Sequence, residues 1–170
     1  MTNAVSLLRS QYSQSFQWLE GTMAEMTDDM ANFDPPGAPS PIAGQLAHAV
    51  SGVDFFILGM AAGQQPLMLG EFAGKSGISE PPPQGAWGEW GQRVKIDLPQ
   101  IHDYAKAVFA AVDDYLATLS DDDLDQEKDF GGAGTQPLVW AFNIILLNTY
   151  SHTGEIACIK GLQGAKGYPM

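Results

Sequence analysis

The sequence is poor in cysteine, in basic residues and in long apolar runs, and each shortage excludes a class of protein. One cysteine, Cys158, among 170 residues forms neither an internal disulfide nor a CxxC metal motif. Eight Lys and Arg against twenty Asp and Glu leave a formal charge of −12. A surface that acidic repels phosphate backbones and anionic lipid heads, and no basic helix is available to enter a groove, so nucleic-acid and membrane-surface roles are set aside. No run approaches the roughly 18 uninterrupted apolar residues of a membrane span. The opening MTNAVSLLRSQYSQSF lacks a basic n-region followed by an apolar one, so no secretory signal is expected and the expected location is cytoplasmic. There is no β-alternating segment of useful length and no internal repeat.

Helical periodicity fills what remains. At 170 residues the chain makes one domain, residues 1–170, with enough length for a core without staples. Val5, Leu8, Tyr12, Phe16, Leu19, Met23, Met26 and Met30 recur at steps of three and four and predict a helix over 4–30. FDPPGAPSP breaks it. Ile42, Leu46, Val50, Val53, Ile57 and Met60 predict a second over 42–63, and Ile101, Tyr104, Val108, Val112, Tyr115 and Leu119 a third over 98–119. A fourth opens with Pro137 in its first turn and runs to about Leu162, where Gly161 and Gly164 end it. The class read from this pattern is all-α, a four-helix bundle.

The connections set its topology. A stretch of 34 residues, 64–97, rich in Gly and Pro, separates the second and third helices. A loop of that length is usually functional or a crossover. Run along the bundle, it brings the third helix back parallel to the second and gives an up-down-down-up order. A simple up-down-up-down bundle would leave His48 and His152 on the order of 15 Å apart along the axis. With the crossover, His48, His102 and His152 fall near one end.

Two faces carry polar groups on otherwise apolar helices. His48 sits opposite the main stripe of the second helix, among Gly44, Ser51, Gly52, Phe55 and Gly59, small neighbours that fit either a ligand space or close helix packing. Asn148, His152 and Glu155 share one face of the fourth helix with Ala141, Ile145 and Ile159. Buried polar groups need partners, so this face is either a hydrogen-bonded seam, with His152 held by Asn148 or a backbone carbonyl, or part of a metal site shared with His48.

GQLAHAVSGVDFFILGM, followed about 100 residues later by NTYSHTGEIACIKGLQGAKGYP, resembles the DinB-like superfamily, which includes YfiT-like metal-dependent hydrolases, bacillithiol transferases and mycothiol-dependent maleylpyruvate isomerases. The resemblance covers essentially the whole chain. It implies a divalent metal, zinc or nickel, held by one histidine from the second helix and two ligands four apart on the fourth. His48 matches the first and His152 the last. The middle ligand, histidine or glutamate in the family, is Asn148 in this sequence. The resemblance further implies a homodimer and a low-molecular-weight thiol as cofactor.

A neutral amide is a poor zinc donor beside imidazole, thiolate or carboxylate. Two readings of function therefore stand. In the first, His48, Asn148 and His152 keep a weakened metal site for thiol-dependent transfer, isomerisation or hydrolysis, with Glu155 orienting His152 or acting as an acid/base. In the second, the protein is a non-catalytic scaffold or small-molecule binder that has lost the metal. Trp87 and Trp90 in the crossover fit either an aromatic lid or packed anchors. His102 reads as a partly exposed residue near a helix start, Cys158 as a buried structural thiol, and SDDDLDQEKD (120–129) as a solvated loop without the ligand spacing of an EF-hand.

Overall fold

Asn3 starts the first helix: its side chain accepts from the Ser6 amide, and Asp121, far along the chain, accepts from the Ala4 and Val5 amides at 3.1 and 3.0 Å. In the computed structural model, residues 3–37 and 39–169 are described; Ala38 of the 33–41 break, Met1, Thr2 and Met170 lie outside them. The acidic run thus supplies a cap for a helix N-terminus whose own first turn holds no acid.

Helix α1 spans Ala4–Met23 and buries Val5, Leu8, Tyr12, Leu19 and Met23. It stops seven residues before the stripe predicts. Ala24 is extended, Glu25 takes φ +60°, and Thr27 caps a separate short helix α2, Asp28–Ala31. A threonine that can cap competes with helix continuation, so the apolar spacing carries on while the helix does not.

Helix α3, Ile42–Val53, is buried nearly all round. It runs without interruption into a π-helical segment, Asp54–Ala61, where α-helix was expected to 63. Asp54 anchors the start of this segment. Fully buried, its carboxylate accepts from the Leu67 and Met68 amides at 2.8 and 2.9 Å and from the Tyr104 hydroxyl at 2.7 Å. The Ala61 carbonyl at the end of the segment accepts from Tyr115 Oη and Lys128 Nζ. The side chains of the widened turn are aimed by these fixed points. By length and apolarity 42–61 could cross a membrane, but most of it is buried inside the protein, as in a core helix.

The long crossover has structure of its own. It contains a 3₁₀ turn at Leu67–Leu69, a bridge between Ile78 and Ile96, and a short helix α4, Gly88–Arg93. Trp90 of α4 is buried and donates to the Glu80 carbonyl. Helix α5, Leu98–Ala117, is capped by Asp97, and helix α6, Leu138–Leu162, follows Pro137 directly. Before it, strands β1 (Glu127–Asp129) and β2 (Thr135–Pro137) form an antiparallel pair in register Lys128 to Gln136. Three-residue strands carry no alternation, which is why the sequence shows none.

The protein is predominantly helical, all-α in class but for that hairpin. Helix α3 packs on α6 and α5, and α1 on α5 and α6. Arg9 pairs with Asp113, Tyr12 donates to the Phe142 carbonyl, and buried Lys160 donates to the carbonyls of Thr22 and Ala24 at the end of α1.

Candidate functional site

Three rings meet between α3, α4 and α6. His48 projects from α3 and His152 from α6, their centroids 4.9 Å apart and edge to face. Trp87, at the N-terminus of α4, lies parallel to the His48 ring at 4.2 Å and edge-on to His152 at 5.4 Å. Glycines make the stack: the Cβ of any other residue at 91 would come within 2.6 Å of the Trp87 ring, and one at Gly44 within 2.1 Å of the Gly91 carbonyl oxygen. The two backbones touch, and the indole fills the space above the imidazoles.

His152 is buried, and its Nδ1 lies 2.6 Å from both Gln45 Oε1 and Glu155 Oε2. Two oxygen acceptors at one ring nitrogen place a proton on Nδ1. Glu155 therefore stands beside His152 as an orienting acceptor. Gln45 does the same from α3. Nothing in the helical pattern singled it out except that it is one of three polar side chains, with His48 and Ser51, on a largely apolar helix. The partners of His152 are thus Gln45 and Glu155, not Asn148 or a backbone carbonyl. His48 is half-buried, and burial, with His152 adding to it, pulls its pKa down to about 4. Its imidazole is neutral at physiological pH.

Beside the rings opens a cavity of about 300 Å³, lined by His48, Gly52, Phe55, Phe56, Met60, Trp140, Ile144, Ile145 and Asn148. The π-helical segment delivers three of these walls, Phe55, Phe56 and Met60. Phe56 stacks on Phe130, and Trp140 leans on both. Among the described residues, His48 and Asn148 bring polar side chains to the wall, beside the indole N–H of Trp140; no described residue hydrogen-bonds the Asn148 amide. Phe56, Met60, Trp140 and Ile144 were not readable as site residues, because their place depends on the π turn and on the packing of α6 against α3.

A family model of the DinB superfamily matches residues 11–156. The chain belongs to the DinB superfamily. Like this DinB-superfamily chain, a conserved protein of Enterococcus faecalis has a solved crystal structure of similar fold, with a TM-score of 0.80 at 18% identity over 94% of this chain and 96% of that one. At that identity the likeness concerns the fold. The chain matches no curated protein.

The metal that the superfamily resemblance implies finds an incomplete donor set. His48 and His152 offer two imidazoles, and the third place is taken by the neutral amide of Asn148. Among the described residues no three His, Cys, Asp or Glu side chains come together as a metal-binding group. Zinc and nickel centres use three or more imidazole, thiolate or carboxylate donors, of which these three residues supply two. His102 stands apart, on α5, with its Nε2 2.9 Å from Glu20 Oε1. Cys158, expected to be buried, is exposed: it falls on the same face of α6 as exposed Leu147 and Ser151, and a helix apolar nearly all round does not reveal in sequence which side turns outward.

Proposed function

We propose that this protein binds a small, uncharged, largely aromatic molecule in the cleft between α3 and α6, without metal-dependent catalysis. The observation that carries the reading is the stack of Trp87 on a neutral His48 at the polar end of an apolar cavity. A volume of about 300 Å³ is at the small end of ligand sites, and such sites pair apolar walls with a few placed polar groups. Phe55, Phe56 and Trp140 offer faces for a ring. His48 and Asn148 offer one hydrogen-bonding group each to a carbonyl, hydroxyl or amide. Among the described residues, no lysine or arginine lines the cavity to attract an acid.

A weakened metal site is the second reading, favoured by one feature. His152 is held through Nδ1 by Gln45 and Glu155, as a metal-bound histidine is held by its supporting acceptors. His48, His152 and Asn148 would be the donors, and the thiol-dependent transferase, isomerase or hydrolase chemistry of the superfamily would rest on them.

One experiment separates the readings. Protein purified without a metal-affinity tag is analysed for zinc and nickel, and the His48 ring protons are followed by NMR while phenol and benzamide are added. The binding reading expects substoichiometric metal and His48 shifts with both probes. Stoichiometric metal that is lost in His48→Ala, or probes that leave His48 unmoved, would overturn it.

The same proposal takes the helices to run up-down-down-up. Supporting this, Arg9–Asp113 and Glu20–His102 join opposite ends of α1 and α5, while Asp54–Tyr104 and Ala61–Tyr115 advance together along α5 and the π-helical segment that continues α3. It also takes the protein to be cytoplasmic, and a homodimer through the exposed apolar residues Ile144 and Leu147 of α6.

A further inference from the structure

A larger cavity, about 620 Å³, opens where α1 ends, 20 residues of helix away from Ala4 and on a different pair of elements from the imidazole cleft. Its walls are Glu20, Met23, Ala24, Met26, Thr27, Asp28, Leu98, Pro99 and His102. The groove exists because α1 breaks there. Glu25, the one non-glycine residue with positive φ among those described, turns the chain at +60°, and α2 restarts on the far side. A left-handed residue other than Gly, Asn or Asp costs backbone energy that surrounding structure must hold in place. On the side of α1, Lys160 holds it by binding the carbonyls of Thr22 and Ala24.

The lining has two chemistries. Met23, Met26, Leu98 and Pro99 make an apolar surface, and methionine adapts its shape to what it meets. Glu20 and Asp28 are carboxylates at the edge, and Glu20 Oε1 is fixed by His102 Nε2 at 2.9 Å. The N-terminal dipole of α5, which would favour an anion, is already met by Asp97, whose side chain accepts from the Gln100 amide. No lysine or arginine is among the described residues that line the groove. The chain's charge of −12 raises the local concentration of cations around it.

We propose that this groove is a second binding site, selective for an organic ammonium ion with an apolar body: the body lies on Met23, Met26 and Leu98, and the ammonium meets the Glu20 carboxylate that His102 orients, with Asp28 a second carboxylate in the same lining. This site is independent of the cleft between α3 and α6, and its occupant is opposite in charge character to the uncharged ligand proposed there.

Seven methionines make the test direct. Protein labelled at the methionine methyl carbons, with Met23 and Met26 assigned through Met→Leu variants, is titrated by NMR with tryptamine and, separately, with uncharged N-acetyltryptamine. Tryptamine is expected to shift the Met23 and Met26 methyls. N-acetyltryptamine, lacking the charge, is expected to bind roughly 10-fold more weakly, and Glu20→Gln to weaken tryptamine roughly 5-fold, the size of one partly exposed ion pair. Glu20→Gln is checked for an unchanged methyl spectrum without ligand, so that loss of binding is not loss of fold. Absence of shifts at millimolar tryptamine, equal binding of the neutral analogue, or shifts confined to Met60 in the other cleft would each overturn the proposal.

Discussion

Trp87 and His48 lie face to face, 4.2 Å apart and 11° from parallel, although 39 residues separate them. The contact joins the crossover to the core helix and decides what the imidazole pair can meet. From the α4 side the indole covers it; from the other, a small aromatic cavity reaches it.

Gly91→Ala should displace that indole. Its new Cβ would sit 2.6 Å from the Trp87 ring and 2.9 Å from Ser40 Oγ, so the ring or α4 must move, at about 1–3 kcal/mol. Urea unfolding would show the loss, and the Trp87–His48 cross-peak in NMR would disappear. An unchanged midpoint would mean that α4 adjusts freely.

The pH dependence of stability should carry a signature of His48. In the folded protein the ring stays neutral down to about pH 4, whereas the unfolded ring protonates near its ordinary 6.5. Between those values the unfolded chain binds the extra proton. The contribution is therefore complete above about pH 6.5, falls as pH drops toward 4, and levels off below it. For a half-buried ring partly screened by solvent it amounts to about 2 kcal/mol. Denaturation of wild type and His48→Gln at pH 7 and 4.5 isolates it: the wild type should lose more between the two. Equal losses would contradict the lowered pKa.

Asn148→His should create what the donor set lacks. With a third imidazole beside His48 and His152, the variant should retain zinc or nickel after dialysis, where the wild type does not, and should melt at a higher temperature with metal than without. Elemental analysis of untagged protein reads the result. A variant that stays metal-free would show that the three positions do not converge on one point.

Asp54→Ala should be among the most damaging single changes. It strands the buried Met68 amide, the part-buried Leu67 amide and the Tyr104 hydroxyl, at about 3 kcal/mol or more. Tyr104→Phe, which leaves the carboxylate its two amides, should cost about 1–2 kcal/mol. Hydrogen exchange at Leu67 and Met68 should speed up in the first variant and far less in the second.

If α6 forms a homodimer face, Leu147→Glu should shift the mass in light scattering from dimer to monomer without altering the circular dichroism. Leu147 is 63% exposed, so the change costs the monomer little. A monomeric wild type would remove the dimer from the proposal.

Helix content was legible because its cause is local. An apolar residue every three or four positions needs a helix to bury it, and the stretches around Val5, Ile42, Ile101 and Ile145 all formed one. The ends were less legible. Met26 and Met30 continue the α1 stripe, yet Thr27 caps a new helix and Glu25 turns the chain. The π winding of Asp54–Ala61 was invisible, since the groups that anchor its two ends lie outside the segment. Amides at Leu67 and Met68, a loop away, and Tyr104, a helix away, hold the Asp54 carboxylate in its place. Cys158 was misplaced for a related reason: on a helix without a polar face, only packing says which side is covered.

By itself the sequence determined an acidic, helical chain of the DinB superfamily, in which His48 and His152 stand out as polar groups on apolar helices. That much follows from composition, periodicity and motif, all properties of neighbours in sequence. Tertiary structure alone decided that Gln45 and Glu155 hold His152, that Trp87 covers His48, and that α1 breaks open a groove beside Glu20. Those are contacts between elements, fixed by the packing of side chains and by the need of each buried polar group for a partner, which no local pattern encodes.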